Sequence, residues 1–280
     1  MHKLFFIFIF TGTYIFANIN AVVSILPQQT FVKAIGGDKV EVSLMVQPGN
    51  SPHTYEPKPS QMIAITKADL YFAIDVEFEH VWLPKFQNSN SKLLVVDVAQ
   101  GISKMHMASA HDDHHHGHEG EDPHIWTTPA NVKIIAQNIY NALAKHDSNN
   151  RSYFKKNLDT FLASIEHTDT QIKKILSTLK ENRTFMVFHP SWGYFAKAYD
   201  LKQIAVEVEG KSPKPRELVH LIKEAKAEKV KAIFTQPEFS DASAKIIANE
   251  LDIPVIKVSP MSAKWSENLI NITKTIAGKR

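Results

Sequence analysis

The sequence predicts an α/β protein of two parallel-sheet βα lobes joined by one long, rigid helix, with a cleft between the lobes. Three observations support this. Short apolar segments alternate with amphipathic ones, the alternation stops once at a long segment with helical periodicity, and four apolar segments lie on each side of that segment. The chain has 280 residues, of which 44% are hydrophobic and 22% charged, so it is long enough for two lobes of moderate size.

The eight apolar segments are predicted to be strands. They are rich in Val, Ile and Phe and do not alternate with polar residues, which is typical of strands covered on both faces. In chain order they are 22–26, 40–46, 70–74, 93–96, 185–188, 204–208, 232–234 and 254–258. Segments between them have helical spacing, as in 28–35, 216–227 and 242–251. Each lobe therefore repeats strand and helix.

The long segment 150–181 is predicted to be a single linking helix. It contains no Gly or Pro, and its apolar residues recur at steps of three, four and seven. At 1.5 Å per residue such a helix spans roughly 48 Å, which is longer than one lobe. We therefore expect an N-terminal lobe over 18–149, the linking helix over 150–181 and a C-terminal lobe over 182–280.

The first 17 residues are typical of a secretory signal. Lys3 provides a positive start, residues 4–10 are apolar, and Ala17 is a small residue suited to cleavage. The chain contains no cysteine, so disulfides and thiolate metal sites are excluded. We expect cleavage near Ala17 and a periplasmic protein without a lipid anchor. The formal net charge of +3 gives no basis for binding nucleic acid.

Residues 105–122 are predicted to form a mobile, solvated His-rich loop. The part from His106 to Asp122 carries six of the 14 histidines and five carboxylates, with almost no large apolar residue. Two interpretations remain open. The loop either binds zinc weakly and passes it inward or senses its level, or it is a solvated insertion. The candidate weak ligands are His114, His115, His116 and His118.

Three other histidines are candidate metal ligands: His53, His124 and His189. Each follows a predicted strand and stands next to a proline that restricts the local backbone. Ligands bind at the carboxyl ends of strands in open parallel sheets, so all three can face the cleft. Neutral imidazole is a good zinc ligand. The remaining histidines outside the loop are predicted to lie on the surface, among them His80, His146, His167 and His220.

The strings SPHTYEP, DPHIW, FHPSWGYF and FTQPEFS, with an acidic His-rich loop just before DPH, resemble the zinc-binding solute-binding proteins of ATP-binding-cassette transporters. The resemblance covers nearly the whole chain after the signal, in order. It implies two lobes, an interlobe metal site, and delivery of the metal to a membrane permease. By resemblance, the metal ligands are His53, His124 and His189.

The fourth ligand position differs from many relatives, which carry an aspartate after the last strand. Here Ser259 and Pro260 occupy that stretch. We favour water as the fourth ligand, with Glu238 as the alternative. Metal-bound histidine usually donates its other ring N–H to a carboxylate, carbonyl or water. Candidate carboxylates are Glu56, Glu207 and Glu209.

The leading functional prediction is capture of Zn²⁺ rather than catalysis. We expect a monomer that holds one tightly bound zinc, with additional weak zinc in the loop, and docks on a permease whose ATPase is a separate subunit. The sequence has no GxxxxGK[ST] phosphate loop and no HExxH motif. The alternatives are an exported zinc hydrolase with three histidines and a water, a cell-surface adhesin or zinc buffer, and a manganese-binding relative. Manganese-binding relatives typically carry glutamate in place of the third histidine, so His189 favours zinc.

Overall fold

A computed structural model describes residues 18–107, 120–179, 183–207 and 211–279. The predicted signal peptide and the four candidate ligands of the His-rich loop lie outside these ranges, as does Glu209. Among the helices within them, none combines the length and apolarity needed to cross a membrane.

The strands form two four-stranded parallel sheets, which confirms the predicted fold class. The strands of the first lobe are β1 (Ile19–Val23), β2 (Val40–Leu44), β3 (Leu70–Ala73) and β4 (Leu94–Asp97). Those of the second lobe are β5 (Thr184–Val187), β6 (Lys202–Ala205), β7 (Ile233–Thr235) and β8 (Val255–Lys257). The sheet orders are β2-β1-β3-β4 and β6-β5-β7-β8, so the second lobe repeats the topology of the first.

Helices follow the strands. They are α1 (Leu26–Gly36), α2 (Pro59–Lys67), α3 (Glu77–Ser89), α4 (Pro129–His146), α5 (Arg151–Leu176), α6 (Gly193–Ala198), α7 (Pro215–Ala227), α8 (Ala242–Leu251) and α9 (Trp265–Ile276). Proline stands in the first turn of α1, α2, α4 and α7, where its missing N–H costs nothing. Side chains in the first turns of α1, α2 and α7 accept the backbone N–H of the residue before the helix; they belong to Gln28, Gln61 and Glu217.

The first strand lies earlier in the chain than predicted. We expected it over 22–26, but β1 ends at Val23 and Leu26 is already helical. The reason is Pro27, which is preorganised for the first turn of a helix.

The linking helix is shorter than predicted. It covers 26 residues rather than the whole of 150–181, which at 1.5 Å per residue is about 39 Å. Just after its end, the hydroxyls of Ser177 and Thr178 donate to the carbonyl oxygens of Lys174 and Ile175 at 2.9 and 2.8 Å. These bonds satisfy carbonyls of the last turn and favour termination there. Helix α5 still contacts α1 and α4 of the first lobe and α9 of the second.

The two lobes share a core as well as a linker. The largest buried apolar cluster includes Val23 of the first sheet, Phe154 of α5 and Phe185 of the second sheet. The indole N–H of Trp126 donates to the carbonyl oxygen of Pro260 at 2.8 Å, and that of Trp265 donates to the carbonyl oxygen of Trp126 at 2.7 Å. These contacts fix the lobes around the cleft. The division at 149/150 and 181/182 stays a prediction.

Candidate metal centre

Three histidines from both lobes converge on one point. His53 lies in the segment between β2 and α2, His124 lies between β4 and α4, and His189 follows β5. Each offers a ring nitrogen, and the three nitrogens lie within 4.8 Å of one another. The ring centroids are 5.0–5.9 Å apart. His124 and His189 are buried and His53 is half-buried. In the part of the chain that the structure describes, this is the group of His, Asp and Glu side chains with the spacing of a metal site.

Each of the three rings has its Nδ1 against a carboxylate. His53 Nδ1 lies 2.8 Å from Glu77 Oε2. His124 Nδ1 lies 2.7 Å from Asp122 Oδ1, and His189 Nδ1 lies 2.7 Å from Glu207 Oε1. An ionised carboxylate can only accept a hydrogen bond, so the hydrogen of each neutral ring is assigned to Nδ1, which donates it. The three Nε2 atoms are then left with lone pairs.

Those lone pairs face one another. The Nε2 atoms of His53 and His189 are 3.2 Å apart, and neither has a hydrogen to donate in this tautomer. Neutral rings in this arrangement repel, whereas a cation between them would be stabilised by every lone pair. The donor set therefore fits a divalent cation bound by three imidazoles, each oriented by a carboxylate behind it.

The surroundings shift two pKa values in the direction that favours metal binding. Burial lowers the pKa of His189, and the neighbouring His124 and His53 act in the same direction against the opposing hydrogen bond to Glu207. The pKa of Glu77 also lies below its ordinary value. Burial raises it, but the hydrogen bond from His53, the charge that the His53 ring carries when protonated and the backbone N–H of Glu77 together lower it further. A neutral His189 and an ionised Glu77 are the forms that metal ligation requires.

The position of His189 is fixed by the side chain of Gln236. Gln236 Oε1 accepts the backbone N–H of His189 at 3.3 Å, and its Nε2 donates to the carbonyl oxygen of His189 at 2.8 Å. Phe239 stacks on the His189 ring with centroids 4.8 Å apart and planes 25° apart. The ring is therefore held both through its backbone and on one face.

A small cavity adjoins the three rings. Its volume is about 20 Å³, which is enough for one water-sized group. Trp126, Phe239 and Met261 supply apolar walls. Glu238 also lines it and accepts a hydrogen bond from Ser259 Oγ at 3.2 Å, but it is not part of the cluster with metal-site spacing.

The sequence analysis identified only one of the three carboxylates that contact the histidine Nδ1 atoms. Of the three candidate carboxylates, Glu207 contacts a candidate ligand and Glu56 is exposed to solvent. Glu77 and Asp122 were missed. Asp122 was expected in a solvated loop, yet it is 1% exposed because it is packed beneath His124. The sequence positions of both acids could have indicated their role, because Glu77 follows the carboxyl end of β3 and Asp122 stands two residues before His124.

The four histidines predicted to lie on the surface are exposed. They are His80, His146, His167 and His220. None of them belongs to the three-histidine cluster.

Comparison with known proteins gives a consistent family. The sequence model of the periplasmic zinc-uptake complex component A family (ZnuA) matches residues 21–277. A solved structure described as ZnuA superposes with a TM-score of 0.87 at 41% identity, covering 94% of this chain and 99% of that one.

Curated relatives include proteins named for different metals. A metal transporter substrate-binding lipoprotein of Lactococcus lactis is 29% identical over 90% of this chain and 82% of its own length. The zinc-binding lipoprotein AdcA of Streptococcus pneumoniae is 26% identical over 91% of this chain, which spans only 54% of that protein. A manganese transporter substrate-binding lipoprotein, ScaA of Streptococcus gordonii, is 28% identical over 85% of this chain and 77% of its own length.

These names contradict the predicted location. We expected a periplasmic protein without a lipid anchor, but all three relatives are named lipoproteins. The prediction of a location without a lipid anchor, which rested on the absence of cysteine, is therefore contradicted by these relatives.

Proposed function

The chain belongs to the periplasmic zinc-uptake complex component A family of metal-transporter substrate-binding proteins, and we propose that it captures Zn²⁺ with His53, His124 and His189. We further propose that it acts as a monomer and delivers the ion to the permease of an ATP-binding-cassette transporter. Members of this family work with a membrane permease and an ATPase and are not enzymes. The observation that carries the proposal is the convergence of three imidazole nitrogens within 4.8 Å.

The choice of zinc rests on the donor atoms. The cluster contains three imidazoles and no carboxylate. Imidazole suits zinc, whereas manganese favours carboxylate, carbonyl and water oxygens. Relatives named for zinc and for manganese both resemble this chain, so family membership alone does not choose between the metals.

We propose water as the fourth ligand. Zinc in proteins is commonly four-coordinate, with three protein ligands and a water in open sites. The adjoining cavity of about 20 Å³ has room for one water. Glu238 is the alternative, because it lines the same cavity. Replacement by glutamine separates the two: Glu238→Gln leaves zinc affinity within about threefold if water is the ligand, and lowers it strongly if the carboxylate binds.

A competition titration tests the proposal. The mature protein is titrated with Zn²⁺ and with Mn²⁺ against a chromophoric chelator, beside His53→Ala, His124→Ala and His189→Ala. His146→Ala is the matched control, because His146 is exposed and lies outside the cluster. We expect one zinc bound in preference to manganese, a large loss in each of the three variants and none in the control. Preference for manganese, or unchanged zinc affinity in the three variants, would contradict the proposal.

Delivery needs a test in cells. Deleting the gene should prevent growth in zinc-depleted medium, and added zinc should restore it. A copy with His189→Ala should fail to complement, whereas a copy with His146→Ala should succeed. Normal growth of the deletion strain in zinc-depleted medium would argue for a buffering or adhesive role.

A further inference from the structure

The orientation of His124 depends on a single buried carboxylate. Asp122 Oδ1 accepts both the ring Nδ1–H of His124, at 2.7 Å, and its backbone N–H, at 2.9 Å. Asp122 is 1% exposed and His124 is 2% exposed. A small shift of this carboxylate would turn the ring and move its Nε2 away from the other two histidines.

The carboxylate of Asp122 is seated against Gly193 of the C-terminal lobe. A Cβ atom at Gly193 would lie 2.8 Å from Asp122 Oδ2, and apart from its neighbours in the chain and in its helix, the described atoms within 4 Å of it belong to the Asp122 carboxyl group. The backbone of Gly193 is not in the left-handed region, so other residues could adopt its conformation. Gly193 also opens helix α6, where alanine is the better helix former. The space needed by Asp122 is therefore the structural reason for glycine at this position.

The next residue holds the backbone of Asp122. The hydroxyl of Tyr194 donates to the carbonyl oxygen of Asp122 at 3.1 Å and accepts the backbone N–H of Met105 at 3.0 Å. Tyr194 is 5% exposed. Tyr194 therefore joins the first and last residues of the predicted His-rich loop, and it does so from the opposite lobe.

We propose that Gly193 and Tyr194 are positioning residues for metal binding. They seat Asp122, Asp122 orients His124, and a ligand supplied by the N-terminal lobe is thereby held in place by the C-terminal lobe. The proposal rests on the proposed function, in which His124 binds the cation. It makes the three-histidine site dependent on contact between the lobes at Gly193 and Tyr194, so separation of the lobes there weakens metal binding.

The first test is Gly193→Ala with Gly120→Ala as the matched control. A Cβ at Gly120 would meet no atom of the described residues within 4 Å, and Gly120 is not among the described glycines with a positive φ. Removing an outer partner of a ligating histidine typically lowers metal affinity about 10- to 100-fold. We expect a loss of that size in Gly193→Ala and none in Gly120→Ala. Tyr194→Phe, which keeps the ring and removes the hydroxyl, should lower zinc affinity by a smaller factor. Unchanged affinity in Gly193→Ala would overturn the proposal.

A double-mutant cycle separates positioning from general damage to the fold. Asp122→Ala removes the atoms that an alanine at 193 would contact. If Gly193 acts by seating that carboxylate, Gly193→Ala added to Asp122→Ala lowers zinc affinity no further. Independent, additive losses, or an unfolded double variant beside a folded Asp122→Ala protein, would overturn the proposal.

His124→Ala distinguishes this inference from the proposed function. If His124→Ala binds zinc as tightly as the parent protein, His124 is not a ligand and both fail. If His124→Ala loses affinity while Gly193→Ala does not, only the positioning role fails.

Discussion

The carboxylates behind the ligands should differ in their effect on zinc affinity according to their burial. Glu207→Gln and Glu77→Gln remove the same charge at nearly the same distance from a histidine Nδ1, 2.7 Å for Glu207 and 2.8 Å for Glu77. The two side chains differ in exposure, which is 6% for Glu207 and 46% for Glu77. Comparing the two variants therefore tests how burial of the carboxylate affects zinc affinity, because the substitution is the same in both.

The expected magnitudes follow from screening. Outer partners of ligating histidines are worth about 10- to 100-fold in affinity, and a buried carboxylate belongs at the upper end, about 2.7 kcal/mol. Solvent screens a charge more strongly where the side chain is half exposed, so the Glu77 carboxylate belongs at the lower end of the same range. We therefore expect a loss of about 100-fold for Glu207→Gln and of about 10-fold, or about 1.4 kcal/mol, for Glu77→Gln.

The assay is a zinc competition titration at neutral pH, with thermal denaturation of the metal-free proteins as the control for folding. Affinities should fall in the order parent, Glu77→Gln, Glu207→Gln. Equal losses in the two variants would refute the argument from burial, and parental affinity in Glu207→Gln would refute the orienting role of its carboxylate.

Three further predictions concern the pH dependence of zinc binding and the stability of the fold. Zinc affinity should fall as pH drops because protons compete for imidazole, whose ordinary pKa is about 6.5, and burial moves the protonation of His189 to lower pH. At pH 8, His189→Ala should lower zinc affinity at least roughly 100-fold. Titrations from pH 5 to 8 check both, and a flat profile would contradict imidazole ligation. Burial raises the pKa of Glu79 to about 7, against the opposing hydrogen bonds that its carboxylate accepts. Between about pH 4.5 and 7 the native state therefore binds a proton at Glu79 that the unfolded chain has lost. The free energy of unfolding should decrease by up to roughly 3 kcal/mol as pH rises through this range. Glu79→Gln should remove this decrease in urea unfolding experiments. Gly36→Ala should lower the free energy of unfolding by about 1–3 kcal/mol, because its Cβ would meet the Cβ of Val40 at 2.7 Å; an unchanged urea midpoint would show that Val40 moves aside at no cost.

The sequence predicted the inner strands β1, β3, β5 and β7 well because they are short apolar segments buried along nearly their whole length, whereas the outer strands are partly exposed. Segment 185–188 became β5 with a one-residue shift, and its four residues Thr184–Val187 are all buried. Boundaries failed where local contacts decided them. Pro27 places the start of α1 at Leu26, earlier in the chain than predicted. The hydroxyls of Ser177 and Thr178 favour the end of α5, although the apolar periodicity continues beyond them.

The three candidate ligands could be proposed from the sequence because each follows a strand of a parallel sheet and stands next to a proline, and because their motifs resemble those of one family. The carboxylates behind them were harder. Glu77 lies 24 positions from its partner His53, and only the folded chain brings the two together. Asp122 lies in a polar segment whose composition suggested solvent exposure, and its burial depends on Gly193 from the other lobe. Such contacts between distant segments leave no periodic pattern.

X-ray absorption spectroscopy of the zinc-loaded protein would show whether three histidines bind one ion. We expect one zinc per chain with three imidazole nitrogens at about 2.0–2.1 Å in the parent protein, and one zinc with two imidazole nitrogens in the His189→Ala protein. A spectrum with fewer than three imidazoles in the parent protein, or one that His189→Ala leaves unchanged, would contradict a site built from both lobes.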